Sequence, residues 1–146
     1  MEPEQTKRQL IRNGVFLFLL GLLSGAVVPA LTNPRMGLSA HLGGVMSGAF
    51  LIVVGLAWGE IKLSAPRKKI LIWLFLYASY AGWLAQLLAA AFGTSRSMPM
   101  AGAGFRGTPW QENVVDFMAI SFSLTITMAS LLALWGLRDA HIKEQG

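Results

Sequence analysis

The chain has two histidines and no cysteine, which limits the chemistry it can do. Without thiols there are no disulfides, no Cys-ligated zinc, no iron–sulfur cluster and no thiolate nucleophile or haem ligand. His41 lies in the stretch Met36-Gly-Leu-Ser-Ala-His-Leu-Gly-Gly-Val-Met-Ser-Gly48, and no formal charge occurs from Met36 to Gly59. On a helix, Gly37, Gly44, Gly48 and Gly55 share its face at steps of three, four and seven. A nitrogen ligand beside a strip of glycines lets a broad object come close, either another helix or the plane of a macrocycle.

A hydrogen-bonded packing histidine is one reading of His41. Its apolar span and flanking glycines favour a metal or haem ligand. A serine triad is disfavoured because no G-x-S-x-G motif is present. A protein-only zinc or di-iron site lacks a second intramembrane histidine and a paired glutamate motif. Iron at this position therefore needs a porphyrin for its other ligands. An electron carrier needs a second strong axial ligand, for which Met36 and Met46 are the candidates. His141, in the polar tail, reads as a solvated residue.

The 146 residues are 54% hydrophobic and only 13% charged, and mean hydropathy is positive. A soluble surface needs more charge, about a quarter of the residues. A polytopic membrane protein does not. The net charge of +5 is carried mainly at segment ends, which fits helix orientation in a bilayer rather than nucleic-acid binding. The expected fold is all-α: one domain of four transmembrane helices packed as a bundle, over about 14–31, 36–59, 70–92 and 114–137. The first has a basic start and Val28-Pro29-Ala30 near its end, as in a signal peptide. It is read as a retained first helix, with Gly21 and Gly25 as a small-xxx-small pair.

The polar arm 2–12, the turn Thr32-Asn33-Pro34-Arg35, the loop 60–69 and the Gly/Pro-rich loop 93–113 are expected to separate the helices. Four crossings put both termini on one side, with Lys7, Arg8, Arg12, Lys62, Arg67, Lys68, Lys69, Arg138 and Lys143. Only Arg35, Arg96 and Arg106 fall on the other. The positive-inside rule places both termini in the cytoplasm of an inner-membrane protein.

Three helices carry a polar group at similar depth beneath the long loop. His41 lies about one and a half turns in, Gln86 about two and Asp116 about one. Unpaired polar groups there cost several kcal/mol. Asp116 also fits a carboxylate stabilised by its helix dipole. Ser123, Thr127 and Ser130 continue its stripe and read as hydroxyls bonded within their own helix or to a neighbour. Trp73 and Trp83 read as packing and interface anchors.

The chain resembles the hydroxylaminobenzene mutases, small membrane isomerases, through Val27-Val-Pro-Ala-Leu-Thr-Asn-Pro-Arg-Met-Gly-Leu-Ser-Ala-His41 and Gly44-Val-Met-Ser-Gly48. Ala101-Gly-Ala-Gly-Phe-Arg-Gly-Thr-Pro-Trp-Gln-Glu-Asn-Val114 and Ala133-Leu-Trp-Gly136 extend the match. It is more distantly similar to the styrene oxide isomerases. The resemblance implies a trimer in the lipid bilayer and b-type haem, with His41 as the axial ligand of ferric iron. Gly37, Gly44, Ser47 and Gly48 would lie near that group. An asparagine six residues beyond the ligand in the epoxide isomerases is Ser47 here. A tyrosine at their substrate site aligns with Gln86, and an asparagine of both relatives with Gly82.

The implied reaction turns an aryl hydroxylamine into a 2-aminophenol, with a small aromatic molecule as substrate. Asp116, Gln86 and Glu112 are the candidates to move the proton. Tyr77 and Tyr80 are candidate lining residues, and core packing remains open for Tyr77. An epoxide isomerase and a non-enzymatic haem carrier or scaffold are the alternatives.

Overall fold

The computed structural model describes residues 3–138. His141 and Lys143 lie outside the described residues. Helix α1 spans Pro3–Val27, α2 Pro34–Leu56, α3 Ala65–Phe92, the single turn α4 Pro99–Gly102, and α5 Pro109–Arg138. Short 3-10 turns follow α1 at Val28–Ala30 and α2 at Trp58–Glu60. The four long helices are each long and apolar enough to cross a membrane.

Each long helix begins earlier than its apolar segment suggests. The expected polar arm up to Arg12 forms the first turns of α1, where Glu4 lies 3.8 Å from both Lys7 and Arg8. Helices α3 and α5 start five residues before the expected 70 and 114. Proline explains much of this. Pro3, Pro34, Pro99 and Pro109 open their helices, and Pro66 lies in the first turn of α3. A first-turn residue has no intrahelical N–H bond to lose, and proline's fixed φ suits the position. Hydropathy marks the stretch suited to lipid, whereas backbone hydrogen bonding continues beyond it. Helix α2 ends three residues short of the expected Gly59.

Asn33 fixes the first turn. Its backbone is extended, its side chain accepts from the Met36 N–H at 3.1 Å, and Pro34 follows as the first helical residue. At the other end of α3, Gly93 closes the helix at φ 68°, a left-handed conformation that glycine adopts without strain. The expected irregular loop 93–113 is therefore shorter, because α4 forms inside it and α5 takes residues from Pro109 onward.

Helix α1 packs along α2, α2 along α3, and α3 along α5, while α1 touches α3 only lightly. Leu10 and Leu17 of α1, Leu51 of α2 and Leu71, Ile72 and Phe75 of α3 are buried together. Half of the most apolar window of α3 is buried, against 6% of that of α5. The long helices thus pack in the order α1, α2, α3, α5, with α5 held along α3 and Ala129 contributed to the shared core. Phe117, Ile120, Leu124, Met128 and Leu131 of α5 remain exposed. Lys62 donates its N–H to the Gly136 carbonyl at 2.9 Å, and Thr6 and Trp58 line one cavity. The start of α1 and the end of α5 therefore share one end of the molecule.

Candidate functional site

His41 points at α1. Its Nδ1 lies 2.8 Å from the Gly21 carbonyl oxygen. A carbonyl can only accept, so Nδ1 carries a proton, and in the neutral ring Nε2 keeps its lone pair. Gly25, one turn further along α1, leaves room for the ring, since a Cβ there would lie 2.6 Å from Nδ1. Ser24 also donates to the Gly21 carbonyl, at 2.7 Å. A backbone acceptor on one imidazole nitrogen is the usual arrangement when the other nitrogen binds a metal.

The glycine strip of α2 has a different neighbour from a macrocycle: α1 fills it. A Cβ at Gly44 would meet Gly21 Cα at 2.6 Å, and one at Gly48 would meet Phe18 N at 2.5 Å. One at Gly37 would strike Leu31 at 2.9 Å. Backbone approach this close is what small-residue helix pairs permit in membranes. Gly44 and Gly48 are thus part of the α1–α2 contact surface, Gly37 packs on the 3-10 turn and linker that follow α1, and His41 is the member of that face with a free polar atom. Ser47, half-buried, lies one turn beyond Gly43 on the stripe facing α3.

Gln86 meets α2 on that other stripe, where a Cβ at Gly43 would lie 2.8 Å from its Oε1. Among the described residues its amide has no hydrogen-bond partner. Gly25 opposite His41 and Gly43 opposite Gln86 set these two groups within a turn of each other in depth. The Tyr77–Ser121 hydrogen bond, 2.8 Å, and the approach of Gly82 to Phe122 put Asp116 near the level of Gln86. The shared depth read from the sequence is present. Within one chain the faces do not converge: His41 faces α1, Gln86 faces α2, and Asp116 faces the loop.

Both carboxylates of α5 hold that loop. Glu112, 8% exposed, accepts from the backbone N–H groups of Arg96 at 3.0 Å, Gly107 at 3.0 Å and Ser95 at 3.2 Å. Asp116 accepts from Arg96 Nε and Ser97 Oγ, and Arg96 also donates to Asn113 at 2.6 Å. Across the loop, buried Asn33 donates Nδ2 to the Ala101 carbonyl at 2.9 Å and its backbone N–H to Ala90 at 2.9 Å. Sequence reasoning gave Asn33 only a turn. The signal available was an N-cap residue that is also an amide, with two spare donors.

The tyrosines diverge. Tyr80 donates to the Asn13 carbonyl of α1 at 3.1 Å, whereas Tyr77 faces α5. Trp83 inserts at the α1–α2 crossing, 2.7 Å from a Cβ at Gly44, with its Nε1 buried and unpartnered. That is internal packing rather than interface anchoring. Ser123 and Thr127 donate to carbonyls four residues back, at 2.8 Å each, as the within-helix reading expects. Met36 is buried against Ala89, Ala90 and Val115, and Met46 is 70% exposed on the outer face. Among the described residues no cluster of three or more His, Asp or Glu side chains could hold a metal by itself.

The styrene oxide isomerase family profile matches residues 6–138. The chain belongs to the styrene oxide isomerase family. Within it, the chain is 46% identical over 138 residues to hydroxylaminobenzene mutase HabB of Ectopseudomonas oleovorans, covering 94% of this chain and 84% of that one. It is 39% identical over 129 residues to hydroxylaminobenzene mutase HabA of the same organism, covering 88% and 96%. No solved structure matches. This family member is an isomerase of the mutase kind, and its four apolar helices suit an integral membrane protein.

Proposed function

We propose that this protein is a haem-dependent membrane isomerase that converts aryl hydroxylamines such as hydroxylaminobenzene into 2-aminophenols. The substrate class comes from the names of the two relatives. The observation that carries the haem is the His41 hydrogen bond to the Gly21 carbonyl, which leaves Nε2 as a ligand with its ring orientation fixed. His41 would hold ferric haem b. When bound, that group supplies a Lewis-acidic iron for the oxygen that must leave nitrogen.

The barrier is heterolysis of the N–O bond, since hydroxide is a poor leaving group. Positive charge then spreads over nitrogen and the ring, with weight at the ortho carbon. The chain's part is to bind the ring, keep the oxygen near that carbon and exclude bulk water. Gln86 is the polar side chain best free to meet the substrate, because its amide has no partner within the described chain. Asp116 is engaged by Arg96 and Ser97, one donor on each oxygen, which leaves a lone pair on each to take the proton that restores aromaticity. Glu112, with three backbone donors, serves as a positioning residue for the loop.

His41, Gln86 and the tyrosines face different grooves of one chain. A homotrimer, with neighbouring copies against the exposed faces, is the assembly we assign to the working enzyme. Both termini lie in the cytoplasm.

The deciding experiment is an optical spectrum of detergent-purified protein, followed by product analysis. A haem absorption band lost in His41→Ala, with aminophenol formed from phenylhydroxylamine, is the expected result. Full activity in a haem-free preparation overturns the proposal. The family description favours one second reading, an epoxide isomerase. Styrene oxide incubated in parallel separates the two by which substrate is consumed. A six-coordinate low-spin resting iron would instead mark an electron carrier, and a colourless, inactive protein a scaffold.

A further inference from the structure

A cavity lies at the end of the molecule that holds the start of α1, far from His41. It encloses about 600 Å³ between α1 and α3, with Thr6, Trp58, Lys68, Lys69, Ile72 and Trp73 in its wall. Leu56, the last residue of α2, is fifteen residues beyond His41, about 22 Å at the helical rise, and Trp58 follows it in the next 3-10 turn. A second groove of about 570 Å³ runs between α3 and α5, past Ile70 and Leu74 to Tyr77 and Thr125. Pro66, Lys69 and Trp73 belong to both. The two grooves therefore straddle one ridge, the first turns of α3, and the ridge is basic.

The chemistry of the ridge is amphipathic. Lys68 Nζ sits 5.8 Å from the Trp58 ring centroid, and Arg67 stacks on Trp135 at 4.5 Å. Among the described residues neither Lys68 nor Lys69 pairs with a carboxylate; Glu4 pairs with Lys7 and Arg8 instead. Ser64, which caps α3, makes no side-chain bond to the first-turn N–H groups. Positive charge is thus concentrated where two apolar channels meet.

We infer that this ridge binds a diacyl phospholipid with an anionic headgroup, the phosphate at Lys68 and Lys69 and one acyl chain in each groove. A free phosphate would leave both apolar grooves unexplained. A single-chain amphiphile would leave one of them so. Basic residues at a bilayer surface attract anionic lipid, and pockets between helices at that level suit its headgroup. The inference rests on the membrane reading and is independent of iron at His41.

The test uses full-length protein in nanodiscs holding equal amounts of phosphatidylglycerol and phosphatidylcholine, released into detergent and weighed by native mass spectrometry. Wild type should retain phosphatidylglycerol over phosphatidylcholine roughly thirtyfold, as two basic contacts warrant. Lys68→Gln with Lys69→Gln should bring the ratio to parity, and Lys68→Arg with Lys69→Arg should keep it. Thr125→Trp, which fills the second groove, should lose the diacyl lipid and still hold lysophosphatidylglycerol. Equal retention of both lipids by wild type, enrichment that survives the double glutamine variant, or displacement by millimolar inorganic phosphate would each overturn it. Extraction of the protein by alkaline carbonate without detergent would instead strike the membrane reading itself.

Discussion

At the residue scale the strongest statement concerns one proton. The Gly21 carbonyl dictates which nitrogen of His41 carries it, and α1 thereby prepares a side chain of α2. Gly25→Val tests this without removing the imidazole. Its side chain would occupy the ring's place, so, on the proposed haem ligation, the haem band should weaken or shift in a protein that still inserts, read by absorbance per mole of protein. Glu112→Gln separates holding from proton transfer. Exchanging a carboxylate with three backbone donors for an amide should cost about 1.5–3 kcal/mol locally. The expected readout is faster proteolysis of the segment between α3 and α5 with the proposed haem retained. Loss of turnover with an intact loop would make Glu112 a proton carrier after all.

At the scale of elements, the α1–α2 pair is the tightest contact in the chain because glycines face each other along it. Gly44→Leu sets a side chain against Gly21 Cα, 2.6 Å from where its Cβ would lie, and backbone cannot yield as a flexible side chain can. Overpacking of this kind costs about 1–3 kcal/mol or more. A lower thermal midpoint in detergent, with His41 displaced and the proposed haem lost together, is the expected outcome. The sequence marked these glycines by their spacing but left their neighbour open, helix or macrocycle. Spacing within one helix says which residues share a face and nothing about what covers it. The helix starts were missed for a related reason. Polar residues and a first-turn proline are compatible with helix, and hydropathy does not register hydrogen bonds.

At the scale of the molecule, α5 is attached along one side only, and the candidate groups face separate grooves. A single chain therefore leaves its polar residues at one depth without bringing them to one point. The proposed trimer predicts that mild cross-linking in native membranes yields dimer and trimer bands. Phe117→Lys and Ile120→Lys, on the exposed face of α5, should abolish them if that face meets a neighbour. Retention of all bands would place the contact on another helix.

The sequence by itself determined that the chain is four apolar helices, that His41 is the histidine placed within a span, and that His41, Gln86 and Asp116 lie near one level. Those properties follow from local composition and from distance along a helix, which a linear string records. Only the tertiary structure decided that α1 fills the glycine strip, that Glu112 and Asp116 hold the loop, and that Nδ1 of His41 is the occupied nitrogen. Each depends on which atoms of distant segments come within hydrogen-bond or van der Waals reach. Rotation about a helix axis and the order of helix neighbours set those contacts, and neither is written in any single segment.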